Sequence, residues 1–457
     1  MTTQQTKIAT EKIIPAVPGR PFIGSLREFQ RNPLGFSLEV TQNYGDIVRM
    51  TLLGEESIFV NDPDAIQHIL QTNARNYDKQ TMDYQLLYPL VGHGLLTSDG
   101  DAWLRQRRLM QPAFHRQRIA ALGQMMVAET QAALARWQGS AQQGAAIAVD
   151  QEMMRLTLSI VGKALLSVDL GAEASEFGQA FKRANARFGY ENMLSVMLPW
   201  LPTRQNRQFR SAIQTMDRLV YEIIARRRAE PGGHDDLLTM LLSARDEETG
   251  QGMTDRQLRD EMMTILLAGH ETTANALTWT FYLLSQHPKV SARLHAEVDG
   301  VLAGRPPAID DLPRLPYTRW VFQEALRLYP PAWSIARRAV EDDELAGYRI
   351  PAGSVIHISL YALHRHPRLW DAPEDFQPER FADDKVEKRH KFAYLPFSTG
   401  PRKCIGDQFA MAEGQLILAS VAQGFDLTLA PDQRIDTAAL ITLNPKHGMS
   451  MIPRLRR

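Results

Sequence analysis

Residues 254–286 constrain the fold more than any other stretch of this chain. Thr254-Asp255-Arg256-Gln257 has the spacing of a capping box, in which a threonine hydroxyl and a glutamine amide each serve the other's backbone N–H. Asp255 also suits the positive end of a helix dipole. No stop signal follows until His287-Pro288, where proline disfavours helical backbone in the residue before it. The run therefore predicts one helix of roughly 50 Å, long enough to cross a whole domain. Leu258, Met262, Ile265, Leu266 and Leu277 supply its apolar stripe, and a chain holding such a helix must build around it.

Ala268-Gly269-His270-Glu271-Thr272-Thr273 stands in its middle. Glycine inside a helix costs up to about 1 kcal/mol relative to alanine, so something should compensate. Small Ala268 and Gly269 are expected to open a groove against a cofactor face. A threonine hydroxyl bonds a carbonyl one turn back, or donates elsewhere where the helix opens. Glu271 brings an ionisable group beside Thr272, and together they are candidates for hydrogen-bonding dioxygen and relaying protons. The hexapeptide alone also fits a kinked core helix with satisfied polar groups. His270 reads as structural.

The only cysteine, Cys404, lies in Phe397-Ser398-Thr399-Gly400-Pro401-Arg402-Lys403-Cys404-Ile405-Gly406. Gly400-Pro401 predicts a tight turn. Asp407 to Gly424 reads as a helix from the spacing of Phe409, Ala410, Leu416, Ile417 and Val421. Cys404 then sits at a helix N-terminus, where free N–H groups and the dipole favour a thiolate. Gly406 removes a side chain where a flat cofactor would approach. Phe397 can shield the sulfur, and Arg402 can neutralise a cofactor carboxylate. A lone cysteine is otherwise a small buried apolar residue. Zinc would need several nitrogen or sulfur ligands nearby, whereas one thiolate suffices for haem.

The run F-x-x-G-x-R-x-C-x-G resembles the haem-ligand loop of the cytochrome P-450 monooxygenases, and A-G-x-E-T resembles the same family's oxygen-side signature. Glu324 and Arg327 share a face of the predicted helix Thr318 to Leu328. With Phe376-Gln377-Pro378-Glu379-Arg380-Phe381 they resemble the family's E-x-x-R and P-E-R-F motifs, where Arg380 joins a network on Glu324 that serves folding and haem retention. Trp103 and Arg107 resemble a W-x-x-x-R pair that binds a haem propionate. Arg337 matches a further propionate arginine, with Arg338 beside it as the alternative. The motifs keep the family's order over almost the whole chain.

The resemblance implies a mainly α fold with a smaller β region: one catalytic domain over 1–457, with an extended lead-in to about residue 25. Haem b would lie between the long helix and the cysteine-loop helix, with Cys404 as the axial iron ligand and O2 as co-substrate. Thr272 and Glu271 would be catalytic. Cys404, Phe397, Gly400, Arg402, Gly406, Trp103, Arg107, Arg337, Ala268 and Gly269 would contact the cofactor. Matching substrate regions cover Tyr84 to Leu96, Phe188 to Met197, Ile265 to Thr272, Ala332 to Ile335 and Ile441 to Leu443. Leu87, Val91, Leu266, Ala332, Trp333, Ile335 and Thr442 are the candidate lining. Their apolar content points to a fatty acid, terpenoid, steroid or carotenoid, and the P-E-R-F wording resembles the fatty-acid and terpenoid-oxidising branch.

No G-x-G-x-x-G fingerprint occurs in a βαβ context, so electrons are expected from a ferredoxin or flavodoxin with its NAD(P)H-dependent reductase. Arg105, Arg108, Lys403 and Lys388-Arg389-His390-Lys391 are the expected docking charges. Two other readings share the motifs: a peroxide-driven peroxygenase of the same fold, which the Glu271-Thr272 pair disfavours, and a haem-based gas sensor.

Fifty-two basic residues balance fifty-two acidic ones, which argues against a nucleic-acid binder driven by net charge. One cysteine excludes an intramolecular disulfide and fits a reducing cytoplasm. Met1 to Lys12 lacks the apolar core of a signal peptide and the length of a membrane span. A protein of bacterial type, without an anchor or a fused flavin reductase, is expected. Pro15 to Pro21 reads as extended. Ile47–Leu53 and Ser57–Val60 predict a hairpin, and Asn61-Asp62-Pro63 predicts a helix start. Residues 100–290 read as helical, broken at Gly139, Gly144, Pro199–Pro202 and Pro231–Gly233. Strands are expected at Glu344–Ile350 and Ser354–Leu360, and in the tail at Ile441–Leu443 and Gly448–Ile452.

Overall fold

The computed structural model describes residues 12–456 apart from 53, 169–170, 190–194, 197, 231, 246–249 and 251. Residues 1–11, Leu53, Pro231, and positions 190–194 and 197 of one expected pocket segment thus lie outside the described residues. The lead-in runs extended along the first strand, with Val17 N donating to Arg49 O at 2.8 Å and Arg49 N to Pro15 O at 2.7 Å.

Five strands form the main sheet: β1 (Ile47–Leu52), β2 (Glu55–Val60), β3 (Tyr77–Asp78), β4 (Ser334–Ala339) and β5 (Val355–Ser359), in the order β1-β2-β5-β4-β3. Only the β2–β5 pairing is parallel. The expected hairpin is β1–β2, and Asp62 caps the helix Pro63–Gln67 by accepting from Ala65 N at 2.8 Å. The expected strand Glu344–Ile350 is instead two short ones, Asp343–Leu345 and Tyr348–Ile350, because Ala346 and Gly347 both take positive φ and turn the chain. β4 was not anticipated: Arg337 and Arg338 interrupt its apolar alternation. In the tail, Leu443–Pro445 pairs with Thr437–Ala439, leaving 441 and 442 in a turn, and Ser450–Leu455 pairs with Phe425–Leu429.

Eight helices carry the argument: α1 (Gly100–Met110), α2 (Arg116–Gln143), α3 (Val149–Leu166), α4 (Gly171–Asn185), α5 (Arg204–Ala229), α6 (Asp255–Gln286), α7 (Pro316–Leu328) and α8 (Asp407–Gly424). The capping box of α6 forms as expected, Gln257 N donating to Thr254 Oγ1 and Thr254 N to Gln257 Oε1 at 2.8 Å. Gly139 does not break α2: it sits on the helix surface, where the propensity cost of about 1 kcal/mol is tolerable. Gly144, left-handed at φ 63°, ends that helix. α3, α5, α7 and α8 pack on α6, and their Leu158, Met263, Leu277, Phe322 and Leu416 belong to one continuous apolar core. Among the described residues no helix is long and apolar enough to cross a membrane.

Candidate active site

The cysteine loop is shaped by one glycine. Gly400 has φ +68°, and a side chain there would collide with the carbonyl of Leu70. The turn Gly400–Arg402 leads into Cys404, whose N–H donates to Phe397 O at 2.9 Å. A Cβ on Gly406 would meet only Phe114, at an ordinary 3.7 Å. Cys404 is exposed along one side and enclosed by protein on the others. Burial raises its thiol pKa, although the Gly406 N–H, Arg107 and Lys403 pull the other way. A coordinated metal cation outweighs that burial, because it removes the thiol proton outright.

Four cations converge nearby. Arg402 donates to Ser98 O at 2.7 Å and to Asp99, with its guanidinium 3.9 Å from the centre of the Trp103 ring. Arg107 donates to Lys403 O at 2.7 Å. Arg337 is buried and donates to the Tyr84 hydroxyl at 3.0 Å. Arg338 instead pairs with Asp78 at 2.5 Å, so of the two neighbours Arg337 is the one turned to the cluster. Lys79, which motif reasoning missed, is buried with Nζ on Leu96 O at 2.6 Å. Burial pushes its pKa well below the lysine range, and Arg337, Arg402 and Arg107 push it further; Asp99 opposes them. Burial likewise brings Arg402 down to about 10. Four cations against Asp99 and Asp407 make a donor set suited to a ligand bearing carboxylates, which fits the propionates of haem. Nothing local marks Lys79, because its role depends on burial.

Between Leu258 and Phe281 every residue of α6 is buried except Ala268, Gly269 and Thr272. Ala268 is exposed and Thr272 half-buried, one turn apart on one face, with the Thr272 hydroxyl donating to Ala268 O at 2.7 Å. Gly269 departs from the groove expectation. A Cβ there would lie 2.9 Å from Val161 Cγ2, so its missing side chain lets α3 approach α6. Glu271 lies about 100° around the helix from Thr272 and is 2% exposed. Its Oε1 accepts from Asn185 Nδ2 at 2.6 Å and from Asn444 Nδ2 at 3.4 Å. Asn275 links the same group to Thr442 at 2.9 Å. Burial lifts the Glu271 carboxyl to about 7 against these hydrogen bonds. The structure thus brings Glu271 to Asn185, Asn444 and Thr442 rather than to the hydroxyl of Thr272. His270 is buried against Phe177 and Phe181 and bonded to Leu266 O, and burial lowers it to about 4.

Of the expected lining, Val91, Leu266, Ile335 and Thr442 are buried, Leu87 is half-buried and Ala332 exposed. Trp333 departs from that role, because it packs with Leu34 and Leu443 in a satellite core, with Nε1 on Leu440 O at 3.0 Å. The loop after Val91 is docked on α6: His93 N donates to Asp260 and Leu95 N to Glu261, each at 2.9 Å.

Glu324 and Arg327 are fully buried and bidentate, at 2.7 and 2.8 Å. Arg380 adds one bond to Glu324 at 3.2 Å, and Gln377 N another at 2.9 Å. Among the expected docking charges, Arg105, Arg108, Lys388 and Lys391 are exposed. Lys403 is paired with Asp407 at 2.5 Å, and His390 with Asp64 at 3.1 Å. Arg389 is not a docking charge, because it stacks on Trp370 at 4.1 Å and donates to the carbonyl of Arg380.

Comparison with known proteins gives a consistent picture. The family profile described as Cytochrome P-450 matches residues 15–451. Cyclooctatin synthase of Streptomyces melanosporofaciens is 38% identical, over 100% of this chain and 98% of its own. Cyclooctat-9-en-7-ol 5-monooxygenase of the same organism is 36% identical, over 90% of this chain and 88% of its own. A solved structure titled "Crystal structure of cytochrome P450DA heme domain" superposes with a TM-score of 0.86 at 31% identity, covering 97% of this chain and 98% of the other.

Proposed function

The chain belongs to the cytochrome P-450 family of monooxygenases that act on apolar substrates, and we propose that Cys404 is its haem-iron ligand and the open face of α6 at Ala268 and Thr272 its oxygen side. The observation that carries this reading is that face: Ala268 and Thr272 one turn apart which, with Gly269 between them, are the only residues not buried over six turns of the helix. When bound, haem with a thiolate ligand supplies O–O cleavage and transfer of one oxygen atom to substrate.

The chain's own residues bind, orient and handle protons. Arg402, Arg107, Arg337 and Lys79 hold the propionates, with the Trp103 ring 3.9 Å from the Arg402 guanidinium holding it in place. Phe397 and Phe114 exclude water from the sulfur. Thr272 presents a hydroxyl on the open face, one turn from Ala268. Glu271 holds a proton that a carboxyl near 7 both takes up and releases at neutral pH.

Substrate is an unsaturated cyclic hydrocarbon or its alcohol, the terpenoid end of the expected classes. A relative named for oxidising cyclooctat-9-en-7-ol at position 5 supports this, as does the apolar content of Leu87, Val91, Leu266 and Ile335. Electrons come from a separate protein, a ferredoxin or flavodoxin, approaching Arg105 and Arg108. The single cysteine supports a cytoplasmic setting.

Titration of the purified ferric protein with cyclic terpenes, terpene alcohols, fatty acids and steroids, followed by the Soret band, tests the assignment. A saturable low-spin to high-spin shift with the cyclic terpenes alone is expected. A shift with fatty acids or steroids alone would replace the substrate class.

A further inference from the structure

Asn185 ends α4, a helix packed on α5 and α3 that meets α6 at His270 and Glu271. Phe177, Phe181 and Asn185 follow at four-residue intervals. The two rings flank His270 at 6.3 and 5.3 Å, and the amide reaches Glu271 at 2.6 Å. Asn185 is 5% exposed. Its Nδ2 donates to Glu271, while its Oδ1 is buried with no hydrogen-bond partner. A buried unpaired carbonyl is costly, so its retention beside a titrating carboxyl asks for a reason.

The chemistry of the amide supplies one. An ionised carboxylate only accepts hydrogen bonds, whereas a protonated carboxyl also donates one. Asparagine offers both a donor and an acceptor, and a half-turn of its amide exchanges them. A lysine or arginine there would pin Glu271 as the anion, and a leucine would favour only the acid. We propose that Asn185 is a positioning residue that pairs with Glu271 in both protonation states, turning its amide as the proton arrives and leaves.

The surroundings leave this control to neutral groups. Asn444 and Thr442 of the tail, and Asn275 of α6, are uncharged. His270 on α6 is neutral and turned to the α4 phenylalanines. Glu413 of α8 is fully buried, which pushes its carboxyl well above the usual carboxylate range, with Thr273 opposing the shift. On α3, Thr157 donates to the His270 carbonyl, and Lys163 is engaged with Glu129. On α5, Asp217 pairs with Arg259, three turns up α6. Lys182 and Arg183 of α4 are exposed. Because Asn185 comes from a helix next to the expected substrate segment at Phe188, a shift of that helix on substrate binding would also change the pairing of Glu271.

This inference rests on the reading of Glu271 as a proton carrier, and two measurements separate them. The carboxylic C=O band that disappears in Glu271→Gln, followed by difference infrared spectroscopy against pH in the haem-loaded protein, reports the protonation of Glu271 itself. Asn185→Leu removes the partner of both states, and because the bond to the anion is about twice as strong as the bond to the neutral acid, the midpoint should rise by about one pH unit. Asn185→Asp, of nearly equal size, adds a carboxyl that shares the proton and should also raise it. The pH profile of peroxide released per electron consumed should move with the midpoint. An unchanged midpoint in a folded variant would overturn the proposal, as would a shifted midpoint with an unmoved peroxide profile. Unaltered peroxide yield in Glu271→Gln would instead overturn the proton-carrier reading, whatever Asn185 does.

Discussion

Arg402, two residues before the cysteine, lays its guanidinium 3.9 Å from the centre of the Trp103 ring while it donates to Asp99. That contact ties the cysteine loop to the start of α1 through stacking and charge at once. It also leaves Asp99 as the carboxylate answering Lys79 and Arg402, while Asp407 answers Arg107. A site with surplus buried positive charge is unfavourable until an anion arrives, and this one sits beside the candidate iron ligand.

Lys79→Met should therefore act in opposite directions on the empty and the loaded protein. The folded pKa of Lys79 lies below its unfolded value. The unfolded chain thus binds more protons between the two, and stability rises with pH across that window. Thermal unfolding of cofactor-free protein should show this rise in the wild type and lose it in Lys79→Met. Haem affinity should fall about tenfold in the variant, from loss of one charge-assisted hydrogen bond. Equal haem affinity would remove Lys79 from the propionate set.

Arg327→Leu should be far more damaging than its distance from Cys404 suggests. It takes the bidentate partner from Glu324, which is 0% exposed, and leaves it only Arg380 and Gln377 N; breaking such a buried pair costs about 3–5 kcal/mol. Haem content after purification and urea unfolding should both fall. Adding Glu324→Leu should recover part of the loss, because the buried carboxylate left without its bidentate partner goes with it.

Gly269→Ala distinguishes helix packing from a cofactor groove. A methyl 2.9 Å from Val161 should cost about 1–3 kcal/mol by overpacking, and Val161→Ala should relieve most of it. A variant with normal stability but an altered Soret band would favour the groove.

Thr272→Ala should leave stability close to wild type, since the Ala268 carbonyl remains inside a helix. Electron consumption should continue while peroxide replaces product. Unchanged coupling would show that the hydroxyl has no part in proton delivery.

Arg105→Glu with Arg108→Glu should slow reduction by an acidic redox partner severalfold at low ionic strength, with the difference shrinking as salt screens it. Stopped-flow reduction at two salt concentrations measures this. Lys403→Glu is a poorer probe, because it also places a second negative charge beside Asp407.

What could be read from sequence was local or carried by spacing. The capping box at Thr254, the stop at His287-Pro288, the turn at Gly400 and the helix after Cys404 each depend on a few neighbouring residues, and all are present in the fold. Glu324, Arg327 and Arg380 were placed together from motif order, although their complete burial was not legible. Reading the motif by adjacency failed for Glu271 and Thr272. Neighbours on a helix point about 100° apart, so one faces the open side and the other a buried amide.

The sequence by itself determined the central helix, the cysteine loop, the family resemblance and hence the class of chemistry, because short-range backbone preferences and spaced motifs need no partner to be recognised. Only tertiary structure decided which charges matter. Lys79 meets Arg337 and Arg402, Asn185 meets Glu271 across 86 positions, and Arg389 turns from solvent onto Trp370. Burial and electrostatic environment are sums over groups far apart in the chain, and those sums exist only once the helices have packed.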